Sequence, residues 1–121
     1  MINTITIAGR VVADPMINFT KSGMAVLNFT IANNRKYKSV EQTTFIDVTL
    51  FGAYAQSLQG HIKKGIAIDV VGELIQERWE NDGKNYYKHK INAKEIDFRI
   101  PKSITKEPYE NLEGEFYEDF Q

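Results

Sequence analysis

Cysteine is missing from the 121 residues. Disulfides, thiolate metal sites and cysteine nucleophiles are therefore excluded. Proline is scarce: Pro15 interrupts the body of the chain, and Pro101 and Pro108 fall near its end. No apolar run approaches the roughly 18 residues of a membrane-spanning helix, so no membrane association is expected. Met1-Ile2-Asn3-Thr4 lacks a basic stretch leading into an apolar one. This reads as no signal peptide, with the cytoplasm as the expected location. Neither a G-x-x-x-x-G-K-[ST] loop nor a G-x-G-x-x-G turn occurs, which removes the usual cradles for nucleotide phosphates. The two histidines, His61 and His89, have no metal-ligand spacing, so no metal or cofactor is expected.

What is present suits one small soluble domain, with 42% hydrophobic and 26% charged residues. The net charge of −1 conceals an uneven distribution. Six acids and no cation lie in residues 107–121: Glu107, Glu110, Glu113, Glu115, Glu118 and Asp119. Residues 1–106 hold all 15 cations against ten acids. A mildly basic body thus carries an acidic end, and a terminal block of like charge commonly stays solvated and serves as an interaction tail.

Hydrophobic spacing gives a strand-rich order. Ile2 to Val12 alternates and passes through Gly9, a bend or close-approach point, before Ala13-Asp14-Pro15 breaks it. Ala25, Leu27, Phe29 and Ile31 share one face of a second strand. Asn33 to Gln42 is polar and basic and reads as a loop, followed by a third strand at Thr43 to Phe51. In Ala53 to Lys64 the period changes: Tyr54, Leu58 and Ile62 mark one helix face, and Gly65 reads as the residue just past its end. Ile66 to Trp79 returns to alternation, with Ile66, Ile68, Val70, Gly72 and Leu74 on one side. Asn81-Asp82-Gly83-Lys84 signals a hairpin turn, and Tyr86 to Phe98 forms a fifth strand. The expected fold is all-β: a five-stranded Greek-key barrel of the oligonucleotide-binding (OB) type, with one short helix between strands 3 and 4. Residues 1–100 are assigned to the barrel and 101–121 to a flexible acidic tail.

Parity is the informative signal. In the third strand Ile46, Val48 and Leu50 point inward, leaving Phe45, Asp47, Thr49 and Phe51 outside. In the fourth, Trp79 falls with Asp69, Glu73 and Glu77 on the side away from the core. Cations are interleaved with rings: Arg35, Lys36 and Lys38 around Tyr37, Arg78 beside Trp79, and Lys84, Lys88 and Lys90 around Tyr86 and Tyr87. Rings on a polar face stack unpaired bases, and cations line a phosphate path. The same rings would equally serve if they lay under a loop, against the helix or in a subunit interface. Asp47, Asp69, Glu73 and Glu77 also form a conceivable carboxylate set for metal-assisted hydrolysis. Charged residues on a solvated strand face are the commoner arrangement.

Several segments, in order, resemble the bacterial and phage single-stranded-DNA-binding (SSB) protein family. They are NTITIAGRVVADP from Asn3, SGMAVLNFTIA from Ser22, EQTTFIDVTLFG from Glu41, LQGHIKKGIAIDVVG from Leu58, and WENDG from Trp79. The resemblance covers roughly residues 2–98. It implies a non-catalytic protein that binds single-stranded DNA without sequence preference, in replication, recombination and repair. It matches Tyr37, Phe45, Phe51 and Trp79 to the family's base-stacking positions. Tyr86 and Tyr87 join them as candidate stacking residues, with Arg10, Arg35, Lys36, Lys38, Lys63, Arg78, Lys84 and Lys88 as candidate phosphate contacts. It also implies a homotetramer, and partner docking on replication or recombination proteins by an acidic tail, here through Glu118, Asp119 and Phe120. The tail departs from the family pattern: no proline precedes Phe120, and Gln121 follows it. That departure points to a phage, plasmid or small-genome source within a bacterial family. Two other classes stay open: an accessory barrel acting in replication restart or on RNA, and a nuclease on the same scaffold.

Overall fold

Leu27, Phe29 and Ile31 are buried, and Asn28 and Thr30 between them are not, as strand alternation requires. The computed structural model describes residues 1–99. Ile100 and the tail assigned to 101–121, with Glu118, Asp119 and Phe120, lie outside the described residues. The elements are β1 (Ile5–Val11), β2 (Met16–Phe19), β3 (Ala25–Tyr37), β4 (Val40–Phe51), α1 (Gly52–Leu58), β5 (Ala67–Asn81) and β6 (Lys84–Phe98). The ladder runs β1-β5-β6-β4-β3, and β1 also pairs with β3, so five strands close into a barrel. The fold class is the one expected, with the helix between the third and fourth barrel strands.

The short β2 was not anticipated. It lies on the edge of β3 that β1 also uses. Arg10 and Val11 face Ala32 and Ile31, and Met16 to Phe19 face Asn28 to Ala25. Between these pairings the chain has four residues, Val12 to Pro15, opposite two on β3. Ala13-Asp14-Pro15 is therefore a protrusion within one interrupted strand, and the polar residues around it hid the return to pairing.

The segment Asn33 to Gln42 is not a loop. β3 and β4 pair without a break from Val26 opposite Phe51 to Tyr37 opposite Val40. The far half of this hairpin leaves the barrel, so both its faces meet water and its sequence shows no alternation. Lys38 and Ser39 turn the chain with φ of 47° and 69°. A two-residue turn with both φ positive suits the strand twist, and Asn-Gly is its usual signal. Asp82 and Gly83 fill the equivalent places in the β5–β6 hairpin, at 53° and 77°.

The helix is shorter than expected. It ends at Leu58, just before Gly60, in place of running to Lys64. Tighter turns continue, with His61 and Ile62 both donating to the Leu58 carbonyl, and Ile62 is buried. Gly65 (φ 92°) donates its N–H to the Val11 carbonyl at 2.7 Å, so it serves the approach to β5 and not a helix end. Tyr54 anchors the helix from its polar tip, where its hydroxyl accepts the Ile96 N–H at 2.8 Å.

The core is a single cluster that includes Leu27, Ile31, Val48, Leu50, Ile68 and Ile91. Leu74, expected among them, is 42% exposed, because β5 has passed the barrel rim at that point. On β6 the buried positions run Ile91, Ala93, then Ile96. The change of step comes from a bulge: Gly72 faces Ala93 and Val71 faces Glu95, which leaves Lys94 unmatched. A Cβ on Gly72 would fall on the Asn92 carbonyl oxygen and 2.8 Å from Ala93 Cα. Gly9 is a milder close approach, its Cβ position 2.8 Å from the Ala32 oxygen. We expect Gly72→Ala to lower stability by about 1–3 kcal/mol by forcing the two backbones apart. Urea unfolding followed by circular dichroism measures this; an unchanged midpoint would contradict the close packing at the bulge.

Candidate nucleic-acid interface

The register fixes which side chains share the outer face of the barrel. Across β3 and β4, Val26 lies opposite Phe51, Asn28 opposite Thr49, Thr30 opposite Asp47 and Ala32 opposite Phe45. Arg10 extends the last row, since it pairs with Ala32. On the other side of β4, Asp47 lies beside Lys90 and Thr49 beside Asn92. From β6 to β5 the face continues through Lys90 and Ile75, Lys88 and Glu77, and Tyr86 and Trp79. Cross-strand neighbours of this kind have Cβ atoms about 4.5–5.5 Å apart, so the residues form one continuous surface.

Four of the six candidate rings lie on that surface: Phe45 (63% exposed), Phe51 (40%), Trp79 (45%) and Tyr86 (40%). Trp79 and Tyr86 are stacked on each other, centroids 5.8 Å apart and planes inclined by 17°. They make one flat block, a pairing that only the hairpin register reveals. Tyr37 and Tyr87 are exposed as well, but fall on the opposite side of the two projecting hairpins. There Arg78 sits 5.6 Å from the Tyr87 ring, and Lys38 lies 5.5 Å from that of Tyr37. The candidate stacking set is therefore divided between two faces.

The candidate cations are divided further. Arg35 and Lys36 lie near the tip of the β3–β4 hairpin, opposite Gln42 and Glu41, and Lys84 begins β6 opposite Asn81. Arg10 donates to the Gly65 carbonyl at 2.9 Å, and Arg78 to Gln76 at 2.7 Å. Lys63 is apart from the rings, bordering a separate cavity of about 270 Å³ with Asp14 and Gln59. Lys88 does lie on the outer face, where it is engaged with a carboxylate.

Between the rings is a trough of about 290 Å³. Asp14, Met16, Asn28, Thr30 and Thr49, none of them anticipated as site residues, line it together with Asp47, Glu77, Lys88 and Lys90, the last of the cations that flank Tyr86 and Tyr87. Parity along β3 could have identified Asn28 and Thr30; Met16 could not be placed without β2. The floor is a hydrogen-bonded ladder. Thr49 donates to Asn28 Oδ1 at 2.8 Å, and Thr30 donates to Asp47 Oδ1 at 2.5 Å. Lys88 Nζ lies 2.5 Å from Asp47 Oδ2, and Lys90 Nζ lies 3.3 Å from Glu77 Oε2. Partial burial acts to raise the Asp47 pKa. The hydrogen bonds from Lys88 and Thr30, with the charges of Lys88 and Lys90, together outweigh it and hold the carboxyl below its ordinary value. The Lys88 ammonium is raised by its hydrogen bond to Asp47 and by the carboxylate charge.

The four carboxylates considered for hydrolysis are not gathered. Asp69 meets Arg99, Glu73 meets Lys94, and Asp47 and Glu77 meet Lys88 and Lys90. Among the described residues no group of three or more histidines or carboxylates is placed to hold a metal ion. Among them, too, no helix is long and apolar enough to cross a membrane.

Comparison with known proteins bears on this geometry. Residues 2–99 match the model of the single-strand binding protein family. The chain belongs to that family. Within it, the chain is 38% identical to the single-stranded DNA-binding protein of Aquifex aeolicus over 79% of its own length and 69% of that protein's. It is 36% identical to the namesake from Borreliella burgdorferi over 75% of its length, and spans 64% of that protein. Among solved structures it superposes with TM-score 0.75 on a chain from a Plasmodium falciparum SSB complex with ssDNA. That match has 20% identity and covers 81% of this chain and 95% of the other. At that identity the likeness establishes the barrel.

The Asp47 site gives a direct test. Because its folded pKa is depressed, Asp47 contributes stability that is present above the unfolded carboxylate pKa and is lost as pH falls through the folded value. Lys88→Gln removes the principal partner and should move the Asp47 midpoint upward in a carboxyl-detected NMR titration. A midpoint that stays in place would mean that the ion pair does not form in solution.

Proposed function

We propose that this chain binds single-stranded DNA without sequence preference, through bases stacked on Phe45, Phe51 and the Trp79–Tyr86 block. The observation that carries the reading is four exposed rings on one outer barrel face. Exposed rings of this size are costly to leave in water, and a base on each gains roughly 1–3 kcal/mol, whatever its identity. Membership of the single-strand binding family and relatives named single-stranded DNA-binding proteins support the reading. The strand's phosphates run past Arg10, Arg35, Lys36, Lys38 and Lys84, cations near the rings and hairpin tips. The protein acts without catalysis, coating single strands in replication, recombination and repair in the cytoplasm of a bacterial cell. It does so as a homotetramer of barrels formed by residues 1–100. Residues 101–121 form the acidic tail, which docks replication or recombination proteins through Glu118, Asp119 and Phe120.

Titration with poly(dT), read by quenching of Trp79 fluorescence, tests the stacking face. Phe45→Ala and Phe51→Ala should each weaken binding by about 1–3 kcal/mol with the fold intact. Tyr87→Ala, on the far side of its hairpin, should weaken it less. Equal losses at all three positions would remove the distinction between the faces, and no loss at any would end the stacking assignment.

The tail offers a separate measurement. Its six acids stand against five excess cations in the body. Deleting residues 107–121 should raise DNA affinity at low salt and lose that effect as salt screens the charges. An affinity at low salt that the deletion leaves unchanged would show that the tail does not compete.

A further inference from the structure

The middle of the outer face differs from its rim. The rim carries rings, whereas the middle carries cations already neutralised by carboxylates on neighbouring strands. Lys88 is held by Asp47, and Lys90 by Glu77. A phosphate entering this trough would meet three carboxylates, Asp14, Asp47 and Glu77, against two ammonium groups, Lys88 and Lys90. Repulsion then offsets attraction. Lys88 would also have to leave Asp47 before it could serve as a full counter-charge.

A base edge faces no such cancellation. It is neutral and presents hydrogen-bond donors and acceptors side by side. The paired groups keep capacity for it. A carboxylate accepts about four hydrogen bonds and an ammonium donates three, while Asp47 has accepted from Thr30 and Lys88 alone among the described side chains. Asn28 and Thr49 add amide and hydroxyl groups to the same floor. The trough holds about 290 Å³ and lies within the ring-bearing face, so bases between stacked neighbours have their edges above it.

We propose that this trough receives the polar edges of unpaired nucleobases, and that Lys88 and Lys90 serve those edges and not the phosphate backbone. The inference rests on the single-stranded-DNA reading given above. It revises the sequence-based assignment of Lys88 to phosphate. Asp47 is the positioning residue: it holds Lys88 in the trough and keeps it from acting as a free cation.

The test is the salt dependence of oligo(dC) binding by the full chain, by fluorescence titration of variants shown by circular dichroism to be folded. Each phosphate contact on a single strand contributes about 0.7 to the slope of log K against log salt. Lys88→Gln should weaken binding several-fold and leave the slope as in the wild type. Asp47→Asn keeps an acceptor for Thr30 but frees Lys88. Its slope should steepen by about 0.7, equal to about 2.6-fold more change in affinity across a fourfold change in salt. A slope shallower by about 0.7 in Lys88→Gln, or unaltered in Asp47→Asn, would overturn the inference. A wild-type chain that binds no oligonucleotide would instead overturn the single-stranded-DNA reading itself, and the inference with it.

Discussion

The backbone ladder that runs from β3 through β4 and β6 to β5 decides which side chains meet solvent together. Side chains alternate along each strand, so a slip of one residue in any pairing would turn Phe45 or Trp79 toward the core and expose Val48 or Val70. The buried aliphatic set prevents that slip, because every register error would bring charged or polar residues into the barrel. Closure by β1, which holds β3 on one edge and β5 on the other, removes the free ends at which register could drift. The ring-bearing face is thus a by-product of core packing: the same alternation that buries Ile68 and Val70 keeps Trp79 outside.

Two kinds of interaction share that face, and their magnitudes divide the work. An exposed ion pair contributes about 0–1 kcal/mol to stability, whereas a base on a ring is worth about 1–3 kcal/mol. The pairs Lys88–Asp47 and Lys90–Glu77 therefore add little to the fold, and their consequence is electrostatic. They neutralise the centre of the face, whereas Arg10 and the cations at the hairpin tips form no ion pair among the described residues. On the function proposed above, affinity comes from the flat hydrophobic groups, while charge guides the strand around them.

The hairpins explain most of what the sequence concealed. β3–β4 and β5–β6 are longer than the barrel is tall, and beyond the rim both faces are wet. Alternation, the signal that identifies a half-buried strand, is absent there, so Asn33 to Gln42 has the composition of a loop although its backbone is fully paired. Lys38-Ser39 hid the turn, since neither residue is the usual occupant of a positive-φ position. Lys94 hid the bulge in the same way: one unmatched residue on β6 shifts the step of the buried positions, and nothing in the local composition announces it. The helix was overextended because Ile62 continues its apolar spacing; the backbone tightens after Leu58 but still buries that side chain.

Local pattern was enough for the strand order, the single helix, the aliphatic core and the outward placement of Phe45, Phe51 and Trp79. Each of these depends on neighbours one or two positions away, a range over which strand and helix geometry is fixed by the chain itself. Tertiary structure alone decided which residues from different strands become neighbours. It stacked Trp79 on Tyr86, set Lys88 against Asp47, put Met16 on the trough wall and sent Tyr37 and Tyr87 to the other side. Those outcomes depend on register between segments far apart in sequence, and register is set by how the whole core fills, which no local window contains.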